Sequence, residues 1–274
     1  RRARRGRPCI YIKHQYSKPQ TPNSQISNTK FQIPNLKSQT PNLVLRSPTG
    51  RFRAIRVIPA GRARPTDALL VVIACSVVFI ATCWYLGPLP LILSVPTLAF
   101  ILIYSAGKRY TTWTHLWLGS ALAIAPTGSW IAVTGAWSWL PVVLSVAVVF
   151  WVAGFDVIYA LQDISFDREH RVFSIPALKG PASALWIARF MHLVSFCALA
   201  AFGWLAMIGW PYWTALGLVF VLLVVEHAIV SPDDYSRVGI AFFTMNGVIS
   251  ILLYLSVLVA SLVGSLRIEE GFLL

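Results

Sequence analysis

Three carboxylates share one apolar stretch, Trp151-Val-Ala-Gly-Phe-Asp156-Val-Ile-Tyr159-Ala-Leu-Gln-Asp163-Ile-Ser-Phe-Asp167. Asp156, Asp163 and Asp167 stand at i, i+7 and i+11, offsets that return to one face of a helix with about 3.6 residues per turn. Tyr159 lies between them on that stripe. Ionisable groups inside an apolar helix are costly, and they mark function by default. Clustered carboxylate oxygens suit a hard divalent cation. Mg²⁺ takes one or two carboxylates and fills its shell with water and phosphate oxygens. Such a metal draws charge from a departing diphosphate. Lys108, Arg109 and Arg171, on the same side of the chain's topology, offer cations to the remaining oxygens. Asp167 by itself reads equally well as a solvated helix end; Asp156, lying deeper, does not.

The elements that must position these groups are membrane helices. The chain has 274 residues, 57% hydrophobic and 12% charged; a soluble domain is roughly 25% charged, so the apolar excess must face lipid. A spanning helix needs about 20 mostly apolar residues. Seven such stretches are expected near 67–86, 89–105, 114–133, 140–164, 183–207, 211–230 and 238–264, giving an all-α, polytopic transmembrane bundle. The connections alternate. Arg62 and Arg64 precede the first span. Lys108 and Arg109 follow the second, Arg168, Arg171 and Lys179 the fourth, and Asp233, Asp234 and Arg237 the sixth. The other three turns carry no charge. Every charged loop therefore falls on one side, which the positive-inside rule makes cytoplasmic. Trp137, Trp139, Trp210 and Trp213 flank the uncharged turns as interfacial aromatics do.

The formal charge of +13 comes from one end. Residues 1–66 hold 15 of the 23 Lys and Arg and none of the 10 Asp and Glu, whereas all 11 tryptophans lie beyond them. Residues 1–50 are a basic, low-complexity leader with near-repeats such as Gln20-Thr21-Pro22-Asn23 and Gln39-Thr40-Pro41-Asn42. Such a composition cannot bury enough apolar surface to offset its ordering entropy. No aromatic platform accompanies the basic run, so nucleic acid is not the expected partner. The leader resembles translated non-coding sequence, and residues 51–274 form the expected membrane domain.

The pattern Asp156-x-x-Tyr159-x-x-x-Asp163-x-x-x-Asp167 resembles the second Asp-rich motif of the UbiA superfamily of intramembrane aromatic prenyltransferases. Tyr104-Ser-Ala-Gly-Lys108-Arg109-Tyr110-Thr111 is similar to that family's Tyr…Lys-Arg-x-Thr loop. Arg56-Val-Ile-Pro59-Ala-Gly61 and Ser174-Ile-Pro176-Ala-Leu-Lys179-Gly180 resemble two further connections, and Asn246-Gly247 fits the last span. His115 stands where many members have Gln. Within the family the 4-hydroxybenzoate polyprenyltransferase group is most alike.

The resemblance implies Mg²⁺-assisted transfer of a polyprenyl group from its diphosphate to an aromatic acceptor such as 4-hydroxybenzoate. This would serve ubiquinone or menaquinone synthesis in the cell's inner membrane, with the active-site mouth cytoplasmic. It implies metal and diphosphate roles for Asp156, Asp163 and Asp167, the last two serving equally to orient the acceptor or the loop. Catalysis falls to Asp156, Tyr159 and Asp163, with Tyr159 either packing or hydrogen-bonding at the reacting centre. Substrate contacts fall to Lys108, Arg109, Arg171 and Arg56.

The chain also departs from the family. The first Asp-rich motif belongs upstream of Arg56, where Ser47-Pro48-Thr49-Gly50 stand. Seven spans are two fewer than the family's nine, so a chain lacking half the metal site is expected to be nearly inactive. A membrane transporter is the alternative class, but no internal repeat with paired broken helices supports it. Among the remaining polar residues, His192 is expected in the core, Glu226 and His227 at an interfacial span end with a coupled-proton role as the alternative, and His115 as a satisfied interfacial histidine with an acceptor contact as the alternative. Cys75, Cys83 and Cys197 are expected as small core residues.

Overall fold

The structure is a computed structural model that describes residues 45–46, 52–53, 64–107 and 110–265. The chain divides into two units, Arg1–Cys75 and Ser76–Leu274. In the first, β1 (Leu45–Arg46) pairs antiparallel with β2 (Phe52–Arg53). The rest of the expected leader lies outside the described residues, as do Arg56, Lys108 and Arg109.

Nine α-helices are found among the described residues: α1 (Pro65–Leu86), α2 (Pro88–Gly107), α3 (Thr114–Thr134), α4 (Leu140–Tyr159), α5 (Ile164–Glu169), α6 (Ile175–Lys179), α7 (Pro181–Leu205), α8 (Trp210–Ile229) and α9 (Asn246–Leu262). A 3₁₀ turn, Ala160–Asp163, joins α4 to α5, and a π-helical turn, Ile240–Met245, leads into α9. Six of the apolar segments are long enough to cross a membrane, and α2 contributes a shorter apolar stretch, Pro88–Tyr104. All seven expected spans are thus helical. Prolines open them: Pro65, Pro88, Pro141, Pro181 and Pro211 lie in first turns, where a missing N–H costs nothing. Gly135, at φ 70°, ends α3 and donates its N–H to the Ile131 carbonyl at 2.9 Å, a left-handed cap that glycine adopts without a Cβ penalty.

In the second unit α4 is the central helix, packed between α3 and α7. Small side chains permit this. A Cβ on Gly119 of α3 would collide with the backbone carbonyl of Val149 on α4, so the two backbones touch there, as small residues allow between membrane helices. Thr127 and Ser145 hydroxyls share a hydrogen bond of 2.8 Å across the same pair. On the other face the Ser195 hydroxyl of α7 donates to the Ala147 carbonyl of α4 at 2.8 Å. Gly119→Ala is expected to force α3 off α4 and cost about 1–3 kcal/mol, read as a lower unfolding midpoint in detergent. An unchanged midpoint would show that the contact is slack.

One core cluster lies at the end of α4, where Val157, Ile158 and Leu161 meet Ile175, Leu185 and Val238. Of the three cysteines expected in the core, Cys83 is buried, whereas Cys75 and Cys197 are exposed on outer helix faces. In a bilayer an outward thiol costs little, because lipid is as apolar as the core.

Candidate active site

The stretch expected to carry three carboxylates on one face does not continue as one α-helix. It tightens at Ala160–Asp163 before α5 begins. A 3₁₀ turn has about three residues per turn, so four residues of it rotate the next helix by about 80° relative to a continued α-helix. The turn keeps Ala160 and Leu161 buried in the core, and burial overrides the even spacing. Asp163 and Asp167 therefore leave the Asp156 stripe, and no group of three potential ligands is gathered among the described residues.

Asp156 is buried near the end of α4. Its Oδ2 lies 2.7 Å from Nδ1 of His115, which is fully buried at the start of α3. The other ring nitrogen, Nε2, accepts the Ile175 backbone N–H at 3.3 Å. A nitrogen that accepts carries no proton, so the His115 proton sits on Nδ1 and is donated to Asp156. Helices α3 and α4 and the start of α6 thus meet at the His115–Asp156 pair.

Tyr159 forms part of an aromatic wall. Its ring centroid is 4.4 Å from Phe242 and 6.5 Å from Phe243, and Phe242 also meets Phe155 edge-on at 5.1 Å. The π-helical turn that presents Phe242 and Phe243 is tied to α4 through Asn246. Its Oδ1 accepts Trp151 Nε1–H at 2.8 Å, while its Nδ2 donates to the Phe242 carbonyl at 2.8 Å.

Asp163 is half-buried, and Asp167, one helical turn on, is buried. Asp167 Oδ2 has no hydrogen-bond partner among the described residues, an arrangement that costs free energy unless a cation or donor arrives. Arg168 donates Nε–H to the Ala177 carbonyl at 2.9 Å and fastens α5 to α6. Ser174 caps α6, its hydroxyl accepting the Ala177 N–H. Arg171 is exposed with φ 52°, a left-handed conformation uncommon for a residue with a side chain. In the loop after α8, the Ser236 N–H donates to Asp234 Oδ1 at 2.9 Å and holds that carboxyl below the ordinary carboxylate value. This bond is complete at neutral pH and is lost only as pH falls through the lowered value.

Sequence reasoning missed the role of His115, since nothing local signals a partner 41 residues away. It also placed Glu226 at an interface. Glu226 is fully buried, with neither oxygen partnered among the described residues. His192 is in the core as expected, paired to His227.

The described helices make this a multi-pass membrane protein with a polar centre at one end of its bundle. The chain belongs to the UbiA prenyltransferase family, which it matches over residues 51–263. It is 32% identical over 171 residues to the 4-hydroxybenzoate solanesyltransferase of Synechocystis sp., covering 62% of this chain and 58% of that protein. It is 26% identical over 201 residues to the 4-hydroxybenzoate octaprenyltransferase of Methylobacillus flagellatus, covering 70% of this chain and 64% of the relative. The chain thus spans less than two thirds of the length of either relative. Among solved structures it resembles the apo structure of a UbiA homolog from Aeropyrum pernix K1, with a TM-score of 0.65, 29% identity, and coverage of 74% of this chain and 75% of that one.

Proposed function

We propose that this chain carries the second acidic half of an aromatic prenyltransferase site, which moves a polyprenyl group from its diphosphate to 4-hydroxybenzoate in quinone biosynthesis. The observation that carries the reading is the Asp163–Asp167 turn, with an unpartnered buried oxygen on Asp167, in a family of prenyltransferases. An orphaned carboxylate oxygen beside a second carboxylate fits Mg²⁺, which needs no all-protein cage and completes its shell with water and phosphate. When bound, Mg²⁺ would neutralise charge developing on the diphosphate.

The protein's own groups do the rest. Asp163 and Asp167 would hold the cation, and Arg171, Lys108 and Arg109 would supply positive charge toward the diphosphate or the acceptor carboxylate; a guanidinium suits the planar carboxylate. Asp156, fixed by His115, orients this end of α4. The wall of Tyr159, Phe155 and Phe242 excludes water from the reacting carbon. The allylic C–O bond breaks with its electron pair going to the diphosphate. The ring carbon ortho to the acceptor hydroxyl bonds the prenyl carbon, and the ring then loses its proton. The mouth faces the cytoplasm, in keeping with the charged loops.

Membranes containing a form of the protein that carries a first Asp-rich motif upstream of Arg56, given polyprenyl diphosphate, labelled 4-hydroxybenzoate and Mg²⁺, are expected to form a lipid-soluble labelled product, and the chain lacking that motif little or none. EDTA and Asp163→Asn should each remove it. Product formation indifferent to both would refute the assignment.

A further inference from the structure

Helices α7 and α8 enclose a groove that the prenyl-transfer reading does not use. Its volume is about 410 Å³, and its walls are almost wholly apolar, including Leu193, Phe196, Phe220 and Val224. Leu193, Phe220 and Val224 are exposed, so the groove opens outward toward lipid. Its polar members are Arg189, His192 and His227.

The groove has a direction. His192 Nδ1 lies 3.0 Å from His227 Nε2, and the Phe196 and Phe220 rings meet at 5.4 Å. The histidine level is therefore near the end of α8, which stops at Ile229, while the phenylalanine level lies toward the helix middles. Arg189 precedes His192 on α7 and lies on the side of the charged loops. Its guanidinium carbon is 4.7 Å from the exposed Trp186 ring, an aromatic placed as at a membrane interface. Among the described residues Arg189 makes no ion pair, although it is half-buried. A permanent cation about two turns inside the charged-loop end of α7, without a carboxylate partner among the described residues, is matched by an anion from the membrane itself.

We propose that this groove binds one anionic phospholipid, its phosphate on Arg189 and one acyl chain lying between Leu193, Phe196 and Phe220. The His192–His227 pair forms the polar floor under the headgroup, and Trp186 holds the guanidinium upright at the interface. The cation at one end and the apolar slot running inward from it match an amphiphile with one negative head. A zwitterionic lipid brings its own cation to Arg189 and is disfavoured there.

The full chain, purified in detergent, would be offered equal amounts of phosphatidylglycerol and phosphatidylcholine with identical acyl chains, and the retained lipid read by native mass spectrometry. Phosphatidylglycerol is expected to be retained selectively. Arg189→Gln should lower its retention roughly tenfold, the scale of a lost charged hydrogen bond. Leu193→Trp, which keeps the cation and fills the slot from its lipid-facing side, should lower it as well. If one variant fails to fold, the other decides. Equal retention of the two lipids by the unaltered chain, or retention of phosphatidylglycerol unchanged in a folded variant, would overturn the proposal. Displacement by millimolar inorganic phosphate would also overturn it, because the site would then hold a bare anion.

Discussion

In a form of the protein that carries a first Asp-rich motif, Asp167→Asn is expected to lower Mg²⁺-dependent prenyl transfer by roughly a hundredfold or more, the scale seen when a group aimed at developing charge is removed. Asp167 is the buried carboxylate whose Oδ2 finds no partner among the described residues. A carboxylate in that state is poorly accommodated by the protein alone and well accommodated once a cation sits on it. Two readouts separate this from misfolding. Without Mg²⁺, the variant should unfold no earlier than the parent chain, because Oδ2 makes no hydrogen bond among the described residues that the change would remove. With Mg²⁺ and a prenyl diphosphate, the parent should gain thermal stability by mass action and the variant should not. A variant that is less stable without the metal, yet still stabilised by it, would show that Asp167 serves the fold rather than the cation.

The second large effect falls on His115. His115→Leu leaves the buried Asp156 carboxylate and the Ile175 N–H both unpaired, and should cost roughly 3 kcal/mol of stability. Prenyl transfer should fall at least about tenfold, because Asp156 is no longer held. His115→Gln tests the cause. A glutamine amide can donate N–H to Asp156 and accept the Ile175 N–H on its oxygen, so it should recover most of the stability and the rate. If Leu and Gln behave alike, His115 is packing and the link to Asp156 carries nothing.

The sequence by itself determined the membrane character, the seven apolar helices and the family. Each of these rests on local quantities: run length, hydropathy, loop charge, and a motif whose members lie within a few turns. First-turn prolines and Gly135 fixed helix ends through backbone sterics, which are also local. The tertiary structure alone decided where the carboxylates lie and what they touch. The spacing of Asp156, Asp163 and Asp167 is compatible with one face only if the helix stays regular. The chain instead tightens into a 3₁₀ turn at Ala160–Asp163, with Leu161 buried against Ile175, and no group of three ligands gathers among the described residues. Asp156 is paired with His115, and Asp167 keeps a buried oxygen with no partner among the described residues. The His115–Asp156 and His192–His227 pairs join residues on different helices. Contacts of that kind follow from which helix faces which, and helix packing is set by the steric fit of small residues such as Gly119 and Gly154, a property of two surfaces that no single segment carries.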